Sequence, residues 1–361
     1  MTHLDLAAPA LSADWRRYSS ARPWRAASHT PTILALLAAA FAFLWLPRLG
    51  SDYLFSAVLV PWLVLSLAGL GLNLLTGYAG QLSVGSAAFM CVGAFAAYNA
   101  QLRIPGLPLL GGFFIAGLSA AALGVLTGLP SLRIKGFYVI VSTLAAQFFV
   151  PWVFVKFGWF SNYNASGVIT APPLKIAGFV LSSPADRFLL VLGVTLAMTA
   201  AAWRIVHSTT GLRWMAVRDM DTAAEVIGIP VARAKLSAFA LSAFYLGVAG
   251  ALWAFAYVGT VEPHGFDLAR SFQILFIVIL GGLGSLAGAF VGAAFIVLFP
   301  IALSLLADHW LAGILAPGNL ENAEKIVVGA LIIGFLIREP AGLWRLIQKA
   351  FHRVQVWPLK A

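Results

Sequence analysis

Gly71 to Tyr98 reads GLNLLTGYAGQLSVGSAAFMCVGAFAAY, an apolar helix pattern on either side of a Thr-Gly-Tyr-Ala-Gly-Gln-Leu-Ser interruption, with no charged residue anywhere in it. Backbone N–H and C=O groups freed by such an interruption cannot face hydrocarbon, where nothing hydrogen-bonds them. A broken membrane helix persists only where protein or a polar cavity supplies partners, and in transporters such breaks point to the permeation path.

The composition agrees. Of 361 residues, 61% are hydrophobic and 10% charged, with mean hydropathy +0.92, which excludes an ordinary soluble surface. The expected fold class is an all-α polytopic membrane protein with Gly-rich broken segments. The net charge of +10 comes from basic residues spread among short loops, a pattern that serves membrane topology and gives no footprint for nucleic acid. The single cysteine, Cys91, rules out an intrachain disulfide or a cysteine metal cluster and reads as a small buried packing residue.

Stretches able to cross about 30 Å of hydrocarbon are Pro31 to Leu46, Leu54 to Thr76, Leu82 to Ala100, Leu107 to Leu129, Phe137 to Val155, Phe188 to Val206, Leu236 to Val258, Phe272 to Leu306 and Ile326 to Ile337. Dividing Phe272 to Leu306 at Gly281-Gly282-Leu283-Gly284 predicts ten crossings. With both termini cytoplasmic, 16 of the 23 Lys and Arg residues fall inside, which fits the positive-inside rule. Residues 1–30 then form a basic cytoplasmic extension, 31–337 the transmembrane domain and 338–361 a basic cytoplasmic tail.

All six histidines and all thirteen acids fall in predicted loops or tails. A proton-coupled carrier wants a carboxylate or histidine in the core, and an intramembrane protease needs catalytic groups at depth. Neither pattern is present, and no G-x-x-x-x-G-K-[ST] phosphate loop occurs, so the chain is not expected to be an enzyme. Energy, if used, arrives through a partner. The longest predicted cytoplasmic segment, 207–235, reads HSTTGLRWMAVRDMDTAAEVIGIPVARAK. Asp221 is placed to N-cap a short helix that ends near Gly228, with Pro230 blocking continuation. Such a helix is either a surface that a motor domain pushes or a connector whose arginines hold the topology.

GLNLLTGYAGQLSVGSAAFMCVGAFAAY, LRIKGFYVIVSTLAAQFF, TGLRWMAVRDMDTAAEVIGIPVARAKLSAFALSAFYLGVAGAL and ILGGLGSLAGAFVGAAF follow one another between about Ala68 and Pro300. Together they resemble the LivM-type permease subunit of branched-chain amino acid ABC transporters. The resemblance implies an ABC importer permease fold in a bacterial inner membrane, surrounded by lipid. It also implies a second homologous permease chain, cytoplasmic ATPase subunits that use the ATP, and a periplasmic solute-binding protein, with no cofactor bound by this chain. By the same analogy the ATPase coupling loop holds Gly211, Arg213, Arg218, Asp221, Glu225 and Gly228. Ser86 and Ala87 depart from the His or Gln with Gly often found at that step in the family.

Within this frame Gly77, Gly80 and Gly85, with Gly281, Gly282 and Gly284 in the later half, mark paired helix breaks. Thr76, Tyr78, Gln81, Ser83, Ser86, Gln147 and Ser285 are candidates for a translocation path; helix packing and capping compete as explanations of the same residues. The long connector between Phe157 and Asp186 is a candidate contact for the binding protein. Branched-chain amino acids are the first expectation for cargo. The rivals are urea or short amides, or a stand-alone channel that passes solute without nucleotide.

Overall fold

Long runs of Leu, Ala, Val, Gly and Phe leave a backbone in hydrocarbon no hydrogen-bonding partner except itself, and the chain forms helices. The computed structural model describes residues 50–133, 138–164, 168–176, 179–310, 326, 329–330, 333–334 and 342–356, all of them in the unit Gly50–Ala361. We number the helices α1 Leu54–Tyr78, α2 Ser86–Arg103, α3 Leu109–Gly128, α4 Tyr138–Lys156, α5 Pro184–Val206, α6 Thr209–Asp219, α7 Asp221–Val226, α8 Val231–Val258, α9 Leu268–Gly281, α10 Leu286–Trp310 and α11 Leu343–Val356.

Seven of these, α1, α3, α4, α5, α8, α9 (with the 3-10 turn Pro263–Phe266 before it) and α10, contain stretches long and apolar enough to cross a membrane. Helix α2 is also apolar but carries Asn99, Gln101 and Arg103 in its last turns. The expected ten crossings are therefore not reached among the described residues. Pro31 to Leu46 lies outside them, as does most of Ile326 to Ile337. Helix α10 runs past the expected Leu306 to Trp310, so Asp308 and His309, expected in a loop, lie in its last turn.

Helices α1 and α8 form the centre. Each is 83% buried across its apolar window, against 28 to 39% for the other five crossing segments. Helix α8 packs on α3, α2 and α1, and small residues set those spacings. A Cβ built on Gly93 would overlap the carbonyl oxygen of Gly247, and one on Gly250 would overlap that of Met90. Side chains also reach across helices: the half-buried Trp62 donates Nε1 to the Phe290 carbonyl at 2.9 Å, and the buried Tyr245 donates Oη to that of Met198 at 2.8 Å. Outside this core, Leu110, Phe114 and Leu126 on α3 and Phe148, Phe149 and Trp152 on α4 are exposed, forming an apolar surface for lipid or another chain.

The connectors hold two short antiparallel ribbons, a small departure from an all-α fold. Strand β1 Ile169–Thr170 pairs with β4 Thr260–Val261, and β2 Lys175–Ile176 with β3 Phe179–Val180. Among the described residues three π-helical turns, Leu54–Leu59, Leu74–Tyr78 and Trp253–Val258, sit at the ends of the two central helices.

The packing predicts opposite results for one substitution at two glycines. Gly250→Ala places a methyl into the Met90 backbone and should lower the thermal midpoint in detergent by several degrees, an overpacking loss of about 1–3 kcal/mol. Gly193→Ala in α5 meets nothing within 4 Å and should hold or raise the midpoint, because Ala favours a helix over Gly by about 1 kcal/mol.

Candidate functional site

The two predicted breaks lie against each other. Helix α1 loosens into its π turn at Leu74–Tyr78, and the chain leaves it through Gly80 at φ +68° before α2 starts at Ser86. Helix α9 stops at Gly281; Gly282 at φ +112° and Gly284 at φ +74° turn the chain into α10, which Ser285 caps by accepting the Gly288 N–H at 3.1 Å. Asn73, fully buried in α1, joins the two. Its Oδ1 accepts the Gly284 N–H at 2.9 Å and its Nδ2 donates to the Ser285 carbonyl at 2.7 Å. Gly77 makes the approach possible, since a Cβ there would overlap both Asn73 Oδ1 and the Gly284 nitrogen. Tyr78, buried at the end of α1, has its hydroxyl close to the backbone of Leu286 at the start of α10. Gly342, ahead of α11, packs its backbone on Gly282.

From the other side Arg218 reaches in. It extends from α6 and donates Nη1 to the Gly77 carbonyl at 3.0 Å, with its aliphatic stem beside Gly80, where a Cβ would stand 2.7 Å from Arg218 Cγ. Its ion pair with Asp219 at 2.9 Å is exposed and adds little to stability.

Segment 207–235 is more ordered than its sequence reading. Two helices replace the single one expected. Ser208 caps α6 by accepting the Thr210 N–H at 3.2 Å, and α6 seats Trp214, 1% exposed, with Nε1 donating to Ser237 Oγ on α8 at 3.0 Å. Helix α7 begins at Asp221 without a side-chain cap, which corrects the expectation that Asp221 is the N-cap. Its carboxylate instead pairs with the buried Lys235 Nζ at 2.6 Å, one turn into α8. Losing either partner would leave an uncompensated charge. Gly228 at φ +85° ends the α7 turn, as the sequence indicated, and Pro230 stands just before α8. Gly211 is buried against the Val206 backbone, while Arg213 and Glu225 are exposed. Met220, Val226 and Ile227 are exposed too, Val226 at 87%.

The remaining path candidates form a second cluster around the start of α2. The free N–H groups of a helix N-terminus need acceptors, and neighbouring helices provide them. Ser271 Oγ on α9 accepts from Ala87 at 2.8 Å, Gln147 Oε1 on α4 accepts from Ala88 at 2.9 Å, and Thr143 Oγ1 accepts from Val84 at 3.1 Å. Gln147 Nε2 donates to the Phe266 carbonyl at 2.8 Å. Ser83 and Ser86 are fully buried here, Ser83 beside the Gly85 N–H and Ser86 with no hydrogen-bond partner. Gly85 lies against the Thr143 carbonyl. Thr76 donates to the carbonyl of the half-buried Gln81 at 3.2 Å. Thr76, Gly77, Tyr78, Gly281, Gly282, Gly284 and Ser285 thus gather around Asn73, and Gly80 stands beside Arg218. Gln147, Ser83, Gly85 and Ser86 gather at α2. Gly211, Arg213, Glu225 and Gly228 stay on the α6–α7 element.

Sequence reasoning missed Asn73 and Ser271. The signal for Asn73 was a lone carboxamide inside the apolar run Leu70-Gly71-Leu72-Asn73-Leu74-Leu75.

Comparison with known proteins agrees with this architecture. The family model described as "Branched-chain amino acid transport system / permease component" matches residues 54–336. The "High-affinity branched-chain amino acid transport system permease protein LivM" of Escherichia coli (strain K12) is 29% identical over 304 residues, covering 76% of this chain and 66% of that protein, a little under two thirds of its length. The protein of the same name from Salmonella typhimurium is 28% identical over 340 residues, 86% of this chain and 74% of its own. The "Autoinducer 2 import system permease protein LsrC" of Enterobacter sp. (strain 638) is 26% identical over 305 residues, 82% of each chain. No solved structure matches the chain. With the family match running from the first residue of α1 through α10, the chain belongs to the branched-chain amino acid transport system permease components and is a LivM-type permease.

Proposed function

We propose that this chain is the membrane-spanning permease subunit of an ATP-driven importer for branched-chain or related amino acids in a bacterial inner membrane, with both termini cytoplasmic. It forms the translocation path together with a second homologous permease chain. Cytoplasmic ATPase subunits dock on α6 and α7, and a periplasmic solute-binding protein delivers cargo at the face that carries the β1–β4 ribbon. ATP is used by the partner.

The observation that carries this reading is the seating of the α6–α7 element. It offers an exposed apolar edge, Met220, Val226 and Ile227, beside Arg213 and Glu225. It is tied into the membrane core by Trp214 to Ser237, Asp221 to Lys235 and Arg218 to Gly77. A push on that edge reaches the two helix breaks through hydrogen bonds that are already made. A connector serving topology alone needs none of these ties. Cargo other than amino acids is the second reading, favoured by the match to a permease named for autoinducer 2.

Two substitutions separate docking from coupling. Val226→Asp combined with Ile227→Asp places charge on the exposed edge and should abolish co-purification of the ATPase and solute uptake, while membrane insertion stays intact; normal uptake removes the docking assignment. Arg218→Gln keeps the docking edge and loses the charged bond to Gly77, typically about 1.5–3 kcal/mol for a charged hydrogen bond. Measured in liposomes, the ATP hydrolysed per solute imported should rise severalfold with the ATPase still bound, and an unchanged ratio would place coupling elsewhere.

A further inference from the structure

A cavity of about 400 Å³ opens where the π-helical turns at the start of α1 and the end of α8 meet the first turn of α9. That volume suits a small molecule. Leu65, Ile296 and Val297 make an apolar wall. Opposite chemistry comes from the chain between β4 and α9. Arg270 lies in the first turn of α9, within a candidate membrane span, its guanidinium 4.2 Å from the Trp253 ring centroid. Nη1 donates to Gln273 Oε1 at 2.6 Å, and Nε is buried with no hydrogen-bond partner. With its oxygen engaged by Arg270, Gln273 keeps its NH2 as a further donor. Asp267 accepts the backbone N–H of Arg270 at 2.9 Å and adds negative charge nearby. Glu262 lines the same cavity, and among the described residues neither Glu262 nor Arg270 forms an ion pair.

Arg270, inside a candidate span, keeps one buried donor unused, and the half-buried Glu262 in the connector beside it forms no ion pair among the described residues, so a single ligand that bridges them satisfies both. A molecule carrying both charges and an apolar tail does so. π-helical turns recur at functional sites, and here two of the three border the cavity.

We propose that this cavity is a zwitterion site for an α-amino acid with an apolar side chain. The carboxylate lies on Arg270 and Gln273, the ammonium on Glu262, and the side chain against Leu65, Ile296 and Val297. Its role in transport rests on the importer reading above. The site selects for both charges at once, which uncharged sugar-like solutes lack.

The test uses the purified permease–ATPase complex without its solute-binding protein, titrated with L-leucine, isoamylamine (no carboxylate) and 4-methylpentanoate (no ammonium), and read by tryptophan fluorescence. Wild type should bind leucine about tenfold or more tightly than either analogue, as expected for losing one charge-assisted contact. Arg270→Gln should bind leucine and isoamylamine alike, with Arg270→Lys keeping the preference. Glu262→Gln should bind leucine and 4-methylpentanoate alike. Variants that weaken all three ligands equally, or no leucine binding by a complex that imports leucine when given its binding protein, overturn the site and leave the importer standing. A complex that imports no amino acid removes the importer reading for amino acids and this site with it.

Discussion

Asn73 is the constraint around which the two halves of the membrane core meet. A break in a membrane helix frees backbone groups that hydrocarbon will not solvate, each worth about 1–3 kcal/mol when left unpaired. The second break frees the Gly284 N–H and the Ser285 carbonyl, and a single buried carboxamide satisfies both. The Asn carboxamide carries a donor and an acceptor on two separate atoms without charge, so it can serve two backbone groups at once. Leucine at that position would leave both groups orphaned, and aspartate would bury a charge while supplying only acceptors.

This junction dictates the glycines around it. Gly77 has no Cβ because Asn73 and Gly284 occupy the space one would take. Gly282 and Gly284 hold φ values that side chains rarely adopt, which aims the Gly284 N–H at α1. A second set of donors, the N–H groups of Val84 just before α2 and of Ala87 and Ala88 in its first turn, is met by Thr143, Ser271 and Gln147 from two other helices. Each interruption is therefore paid for by side chains from a distant part of the chain, so neither break exists without the tertiary fold.

That dependence explains what the sequence made legible. Helix positions follow from local apolar runs, and Leu54 to Thr76 or Leu107 to Leu129 fall within a few residues of the observed helices. Glycine and serine clusters marked both breaks, because a break is written in the residues that adopt it. The partners of a break are set by contacts across as many as 212 residues, as for Asn73 and Ser285, and no local pattern records them. Arg218 shows the same limit. Its charge placed it on a cytoplasmic loop, whereas its direction, inward to the Gly77 carbonyl, depends on how α6 seats Trp214 on α8. Asp221 looked like a helix cap because a cap is a local role. Lys235, buried one turn into α8, gave it a tertiary partner instead.

The same helices carry both ends of the proposed machine. Helix α1 runs from Ala57 beside the cavity to Gly77 beneath Arg218, and α9 runs from Arg270 to Gly281 at the junction. A helix of 14 residues such as α9 is about 21 Å long and resists change in length, because every turn is tied to the next by hydrogen bonds. In the proposed importer, a docked ATPase that displaces Arg218 would move α1 at Gly77, and Asn73 would share that displacement with the α9–α10 turn. The far ends of both helices bear the cavity wall and Arg270. Glu262 lies in the connector held by β4 against β1, outside both helices. Movement of α9 against that ribbon changes the separation of Arg270 from Glu262, the one distance on which grip of a zwitterion depends. In the proposed site, pulling the two charges apart would release the zwitterion without any chemical step.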